Sequence, residues 1–115
     1  MIPLMDFAES AARNEAVFRG INERIDQGAA QHDVSVPLPF HCECSDSSCV
    51  AKLFVAPDEY ERVLNERFQF VVLPGHENNE VERVVAVQSA YLVVEKTGEA
   101  RATLERDHPQ QRHRP

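Results

Sequence analysis

Three cysteines fall close together, as Cys42-Glu43-Cys44 and then Cys49. An odd number at this spacing cannot close a disulfide framework, and clustered reduced thiols bind metal or do redox chemistry. In extended backbone, residues i and i+2 share a face, so Cys42 and Cys44 can point the same way. Ser45-Asp46-Ser47-Ser48 is turn-forming and can fold Cys49 back towards them. Free N–H groups of such a turn can hydrogen-bond the sulfurs. Tetrahedral thiolate sites favour zinc, which takes four sulfur or nitrogen donors, so a fourth ligand is required. The candidates are His41, His32, Asp46 and His76. His41 adjoins Cys42 and falls on the opposite face of an extended segment. His76 lies in Pro74-Gly75-His76-Glu77, directly after the strongest strand signal, where a Pro-Gly turn can aim a side chain inward. Glu77 is placed to orient a neighbouring imidazole. The expected metal ligands are therefore Cys42, Cys44, Cys49 and His76, holding Zn2+. The plain alternatives are small buried thiols without metal and a surface turn histidine.

These residues need a frame. Residues 6–27 read as one amphipathic helix about 33 Å long. Phe7, Ala11, Asn14, Phe18, Ile21 and Ile25 make a heptad-like stripe, widened by Val17. Glu9, Arg13, Glu15, Arg19, Glu23, Arg24 and Asp26 make the expected solvated face, with Glu15 and Arg19 as an i,i+4 pair. Asp6 is the expected N-cap, with Glu9 three residues on, and Gly28 the expected C-terminal stop. Residues 28–39 connect onward, forced extended by Pro37 and Pro39. Phe40–Cys44 reads as a short strand or knuckle and Ala51–Val55 as another apolar run. Pro57–Leu64 reads as a short helix with proline at its first position and acids in its first turn. Phe68–Leu73 is a mostly buried strand stopped by Pro74-Gly75. Val81–Val87 and Ala90–Lys96 resemble an antiparallel pair joined around Gln88-Ser89. Glu99–Arg106 reads as one or two helical turns.

The expected fold is α+β: a long N-terminal helix, a zinc-knuckle-like segment, a short helix and a small antiparallel sheet. Residues 1–98 form the expected zinc-stabilised domain, and 99–115 an expected partly disordered polar tail.

The chain has 115 residues and a formal net charge of −7. Its 43% hydrophobic and 27% charged content is ordinary globular usage. Residues 1–96 carry eight basic against sixteen acidic residues, which argues against broad contact with a phosphate backbone. No stretch approaches the roughly 18 apolar residues of a membrane span. The N-terminus lacks the basic and apolar regions of a secretory signal, so a cytoplasmic location is expected.

The pattern Phe40-x-Cys42-Glu43-Cys44-x4-Cys49, Glu59-Tyr60, Pro74-Gly75-His76-Glu77, Glu82-Arg83-Val84-Val85 and Tyr91-x-Val93-Val94-Glu95-Lys96 resembles a family of small uncharacterised bacterial proteins, mainly actinobacterial. Arg13-Asn14-Glu15-x2-Phe18-Arg19-x2-Asn22-Glu23 is similar to that family's first helix. The resemblance covers roughly residues 10–100. It implies no catalytic residues, and it implies that the knuckle and the Pro-Gly-His-Glu turn belong to one module.

The functional expectation is a non-catalytic, zinc-stabilised protein-interaction or regulatory module, with transcription or stress regulation as its setting. Phe7, Phe18, Ile21 and Ile25 are the expected partner-binding residues, and the same helix could pair with a copy of itself. The alternative is a thiol and zinc redox sensor. A small cysteine- or metal-dependent enzyme is a third reading, weakened by the lack of G-x-S-x-G, P-loop and H-E-x-x-H patterns.

Overall fold

In the computed structural model, the structure describes residues 7–107, with side chains from residue 15 onward apart from those of 99, 103, 106 and 107. Asp6 and the 108–115 part of the expected tail lie outside the described residues, as do the side chains of Phe7, Glu9, Ala11, Arg13 and Asn14. The fold is α+β. Helix α1 spans Phe7–Gln31, strand β1 Leu38–His41, strand β2 Lys52–Val55, helix α2 Pro57–Leu64, strand β3 Gln69–Val72, strand β4 Glu82–Val87, strand β5 Leu92–Lys96 and helix α3 Gly98–Asp107.

Helix α1 runs past Gly28, the expected stop. Asp33 sits in left-handed conformation at φ 54 and terminates the helix. Its N–H bonds the Ala30 carbonyl and the Val34 N–H bonds the Ala29 carbonyl at 2.9 Å, the paired arrangement of a Schellman end. Aspartate tolerates this conformation better than most non-glycine residues. Gly28 is thus an interior helix residue, where a methyl group would meet nothing within 4 Å.

The expected solvated face of α1 is overturned at Glu15, Arg19 and Asp26, whereas Arg24 is exposed as expected. Glu15, Arg19, Asn22 and Asp26 are buried, with Phe18 and Ala29, while Val17 and Ile21 are exposed. Positions 15, 19, 22 and 26 repeat every three or four residues, so they form one polar stripe, and that stripe faces inward. Glu15 and Arg19 do not form the expected pair with each other; Glu15 bonds Lys96 of β5, and Arg19 bonds Glu43 just past β1. Of the expected partner-binding residues, Phe18 stacks on the His41 ring at 4.1 Å and Ile25 packs on the core. Both are engaged by the fold itself. Ile21 is exposed, and the Phe7 side chain lies outside the described residues.

Two small antiparallel sheets face α1. One pairs β1 with β2, Phe40 opposite Leu53. The other has order β3-β5-β4, with Phe70 opposite Val94 and a bulge between Val84 and Ala86. Helix α2 starts at Pro57 with Asp58 and Glu59 in its first turn, and buries Tyr60, Val63 and Leu64. The core joins Phe40, Leu53, Val55, Tyr60, Phe70, Val71, Val72 and Val94, with Phe40 and Tyr60 stacked at 4.5 Å. Helix α3 packs on α1 and buries Ala100 and Leu104, so the packed body continues past residue 98. No helix of the described residues is long and apolar enough to cross a membrane.

Candidate metal centre

The segment that follows β1 joins the two sheets. The Cys42 N–H continues the β1–β2 pairing to the Ala51 carbonyl at 3.0 Å, and the Glu43 N–H bonds Val71 of β3 at 2.7 Å. Held extended from both sides, this segment sends alternate side chains to opposite faces. Cys42 and Cys44 point towards His76, while His41 and Glu43 point back to α1.

Two turns complete the corner. The Asp46 carbonyl accepts the Cys49 N–H at 3.0 Å, and Asp46 Oδ1 accepts the Ser48 N–H at 2.9 Å. The Ser48 hydroxyl donates to the same oxygen at 2.7 Å, and this bond, with the N–H bond, lowers the Asp46 pKa. The second turn runs from Leu73 to His76, whose N–H bonds the Leu73 carbonyl at 2.9 Å. Pro74 takes its second position and Gly75, at φ 92, its third, the positive φ that a type II turn requires there.

The donor atoms of Cys42, Cys44, Cys49 and His76 all lie within 4.8 Å of one another. His76 Nδ1 is 3.6 Å from Cys42 Sγ and 3.7 Å from Cys49 Sγ. Bonds of about 2.3 Å to sulfur and about 2.1 Å to nitrogen give a tetrahedral S···N edge of about 3.6 Å. The four residues could therefore hold a metal ion with little rearrangement. Cys42 and Cys44 are buried, Cys49 is half-buried, and the His76 ring lies exposed at the mouth.

Each sulfur receives one backbone N–H. Leu73 donates to Cys42 at 3.3 Å, Asp46 to Cys44, and Ala51 to Cys49. The expected N–H groups of the Ser45–Ser48 turn thus supply one of three; the others come from Leu73, just after β3, and Ala51, just before β2. The thiols titrate unequally. A hydrogen bond from Cys42, helped by His76 and the Asp46 N–H, holds Cys44 down to about 5 despite burial. Giving that hydrogen bond, together with burial, pushes Cys42 up. Burial likewise pushes Cys49 up. Metal binding needs thiolates, and the hydrogen bond between Cys42 and Cys44 favours a thiolate on one of the pair.

The other candidate ligands go elsewhere. His41 Nδ1 lies 2.6 Å from the Cys42 carbonyl oxygen and its ring stacks on Phe18. Asp46 caps its own turn, and His32 is exposed just beyond α1. Glu77 does not orient His76 as expected; its carboxylate accepts the Gly75 N–H at 2.7 Å and so braces the turn.

Behind the metal corner lies a polar cluster that the sequence reading missed. Glu43, fully buried, accepts hydrogen bonds from Arg19 at 3.1 and 3.3 Å, Asn22 at 2.9 Å, the Tyr60 hydroxyl at 2.6 Å and the Val71 N–H at 3.0 Å. Burial works against the charge of Arg19, but Glu43, together with Tyr60 and Glu23, more than offsets it and raises the Arg19 pKa. The guanidinium also lies 4.2 Å from the Phe70 ring centroid. Burial, aided by Glu43, pushes the Tyr60 phenol up, so it stays a donor. Further along α1, Lys96 bonds both Glu15 and Glu82 out of solvent. Burial raises Glu15 to about 8, against the pull of Lys96. The available signal was the three-four spacing of Glu15, Arg19, Asn22 and Asp26.

Comparison of the chain with protein-family models, curated proteins and solved structures finds no match.

Proposed function

We propose that this protein is a non-catalytic, zinc-stabilised module that serves protein interaction or regulation. The observation that carries this reading is the set of three sulfurs and one imidazole nitrogen within 4.8 Å, each sulfur with its own backbone N–H. Three thiolates and a neutral imidazole around Zn2+ leave a formal charge of −1, which quenches Lewis acidity. Four protein donors fill a tetrahedral site, whereas catalytic zinc keeps a position for water or substrate. Thiolate donors favour zinc over harder cations. Reduced thiols in such a cluster suit a reducing, cytoplasmic location. The acidic balance favours a protein over a nucleic acid as partner.

Cobalt(II) substitution of the whole chain tests the reading. A closed centre gives a tetrahedral cobalt spectrum with sulfur-to-metal charge transfer, unchanged by added azide or cyanide. A spectrum that shifts with either anion reveals an open position and supports an enzyme instead. The half-burial of Cys49 favours a second reading as a redox sensor. There, peroxide would take two electrons from Cys49 and a neighbouring thiolate, forming a disulfide and water and releasing zinc. Zinc retained under mild peroxide rejects it.

A further inference from the structure

We infer that helix α1 is a positioning element for the metal, reciprocally coupled to it through Asn22, Arg19 and Glu43. This rests on the metal reading above. Asn22 grips the backbone between the ligands and β1: its Nδ2 donates to the His41 carbonyl at 2.8 Å and its Oδ1 accepts the His41 N–H at 2.7 Å. The same Nδ2 donates to Glu43 at 2.9 Å, and Arg19 donates to both Glu43 oxygens. Glu43 stands between Cys42 and Cys44, so fixing its side chain on the α1 face fixes both sulfurs on the other. The Phe18 ring stacked on His41 adds an apolar contact to the same segment.

The linkage runs both ways by thermodynamic necessity. A helix that holds residues 41–43 in the ligating conformation raises metal affinity. A metal that fixes Cys42 and Cys44 presents the preformed Glu43 acceptor that Arg19 and Asn22 need. Without that acceptor, the inward stripe of α1 buries a guanidinium and an amide with lost partners, which is costly. Metal loss therefore loosens α1 selectively, making the helix the output of the metal site. The β3–β5–β4 sheet has its own ladder and holds.

Zinc affinity by competition with a chromogenic chelator, with amide hydrogen exchange on the full chain, tests this. Asn22→Ala is expected to weaken zinc about ten- to hundredfold at unchanged stoichiometry. Val17→Ala, on the exposed face of α1, is expected to leave affinity unchanged. In the unmodified chain, zinc is expected to slow exchange across residues 15–31 as well as 41–49, with little change in β5. Because Asn22→Ala could fail to fold, the unmodified chain decides on its own. Stoichiometric zinc with unchanged α1 exchange overturns the coupling and leaves the metal reading intact. A chain that takes up no zinc overturns the metal reading itself, and the coupling with it.

Discussion

The four residues His41 to Cys44 show two solutions to one problem on opposite faces of a single segment. On one face, Cys42 and Cys44 meet donors from two surface turns. On the other, Glu43 meets Arg19, Asn22 and Tyr60 in the interior. The metal corner brings four donor atoms within 4.8 Å of one another, where a bound cation would supply order. The polar seam is surrounded by Phe40, Phe70 and Tyr60, and its order comes from saturating one carboxylate with five hydrogen bonds. A buried ion pair is not a general source of stability, because desolvation offsets much of the attraction. It is specific, because few other arrangements saturate the Glu43 carboxylate.

Metal removal should separate the two regions most strongly. Structural zinc contributes on the order of 10 kcal/mol of apparent binding energy. Chelation, or Cys42→Ser, is therefore expected to abolish order in residues 44–49, loosen α1 and lower the melting temperature sharply, measured by calorimetry with and without added zinc. Glu43→Gln strikes the other face. It keeps the shape but leaves the Arg19 cation without its counter-charge, at a cost of about 3–5 kcal/mol in urea denaturation. If chelation and Glu43→Gln cost the same and do not add, the two faces are one unit.

The Glu15 carboxyl sharpens the comparison through pH. Burial raises its folded pKa to about 8, above the ordinary carboxyl value of 4.5, so the native state binds more protons than the unfolded state between those values. Stability from this group is accordingly present at low pH and falls as pH rises through that window, by a few kcal/mol. Glu15→Gln is expected to flatten the slope, seen by denaturation at pH 5, 6.5 and 8 on the zinc-loaded protein (roughly the ends and middle of the window). The metal corner has the opposite sign, since zinc competes with protons for its thiolates and weakens as pH falls. The smallest effect concerns the helix that joins the regions. Gly28→Ala, inside α1 with open space around it, is expected to gain about 0.5–1 kcal/mol in thermal denaturation. A loss would mean that the helix ends at Gly28 after all.

The contrast between the regions also explains what the sequence could tell. The α2 boundaries, the three short strands after it and the Pro74-Gly75 turn follow from local rules, because proline, glycine and alternating apolar residues act on their own neighbours. The metal cluster is nearly as local, with three donors inside residues 42–49 and a fourth placed by one turn. The polar seam is not local: Glu43 reaches partners 24, 21, 17 and 28 positions away. Hydrophobic periodicity assigns charged residues to solvent, and here that rule turned Glu15, Arg19 and Asp26 outward when the fold turns them in. The end of α1 departs from the expected Gly28 for a similar reason, since glycine is the commoner left-handed residue and Asp33 carries that conformation instead.

Native mass spectrometry of the full chain, purified without chelator, tests the central claim most directly. One zinc ion per folded chain, absent from Cys42→Ser in the same preparation, is the expected result. A compact, fully folded chain that carries no metal and binds none when zinc is offered would contradict it.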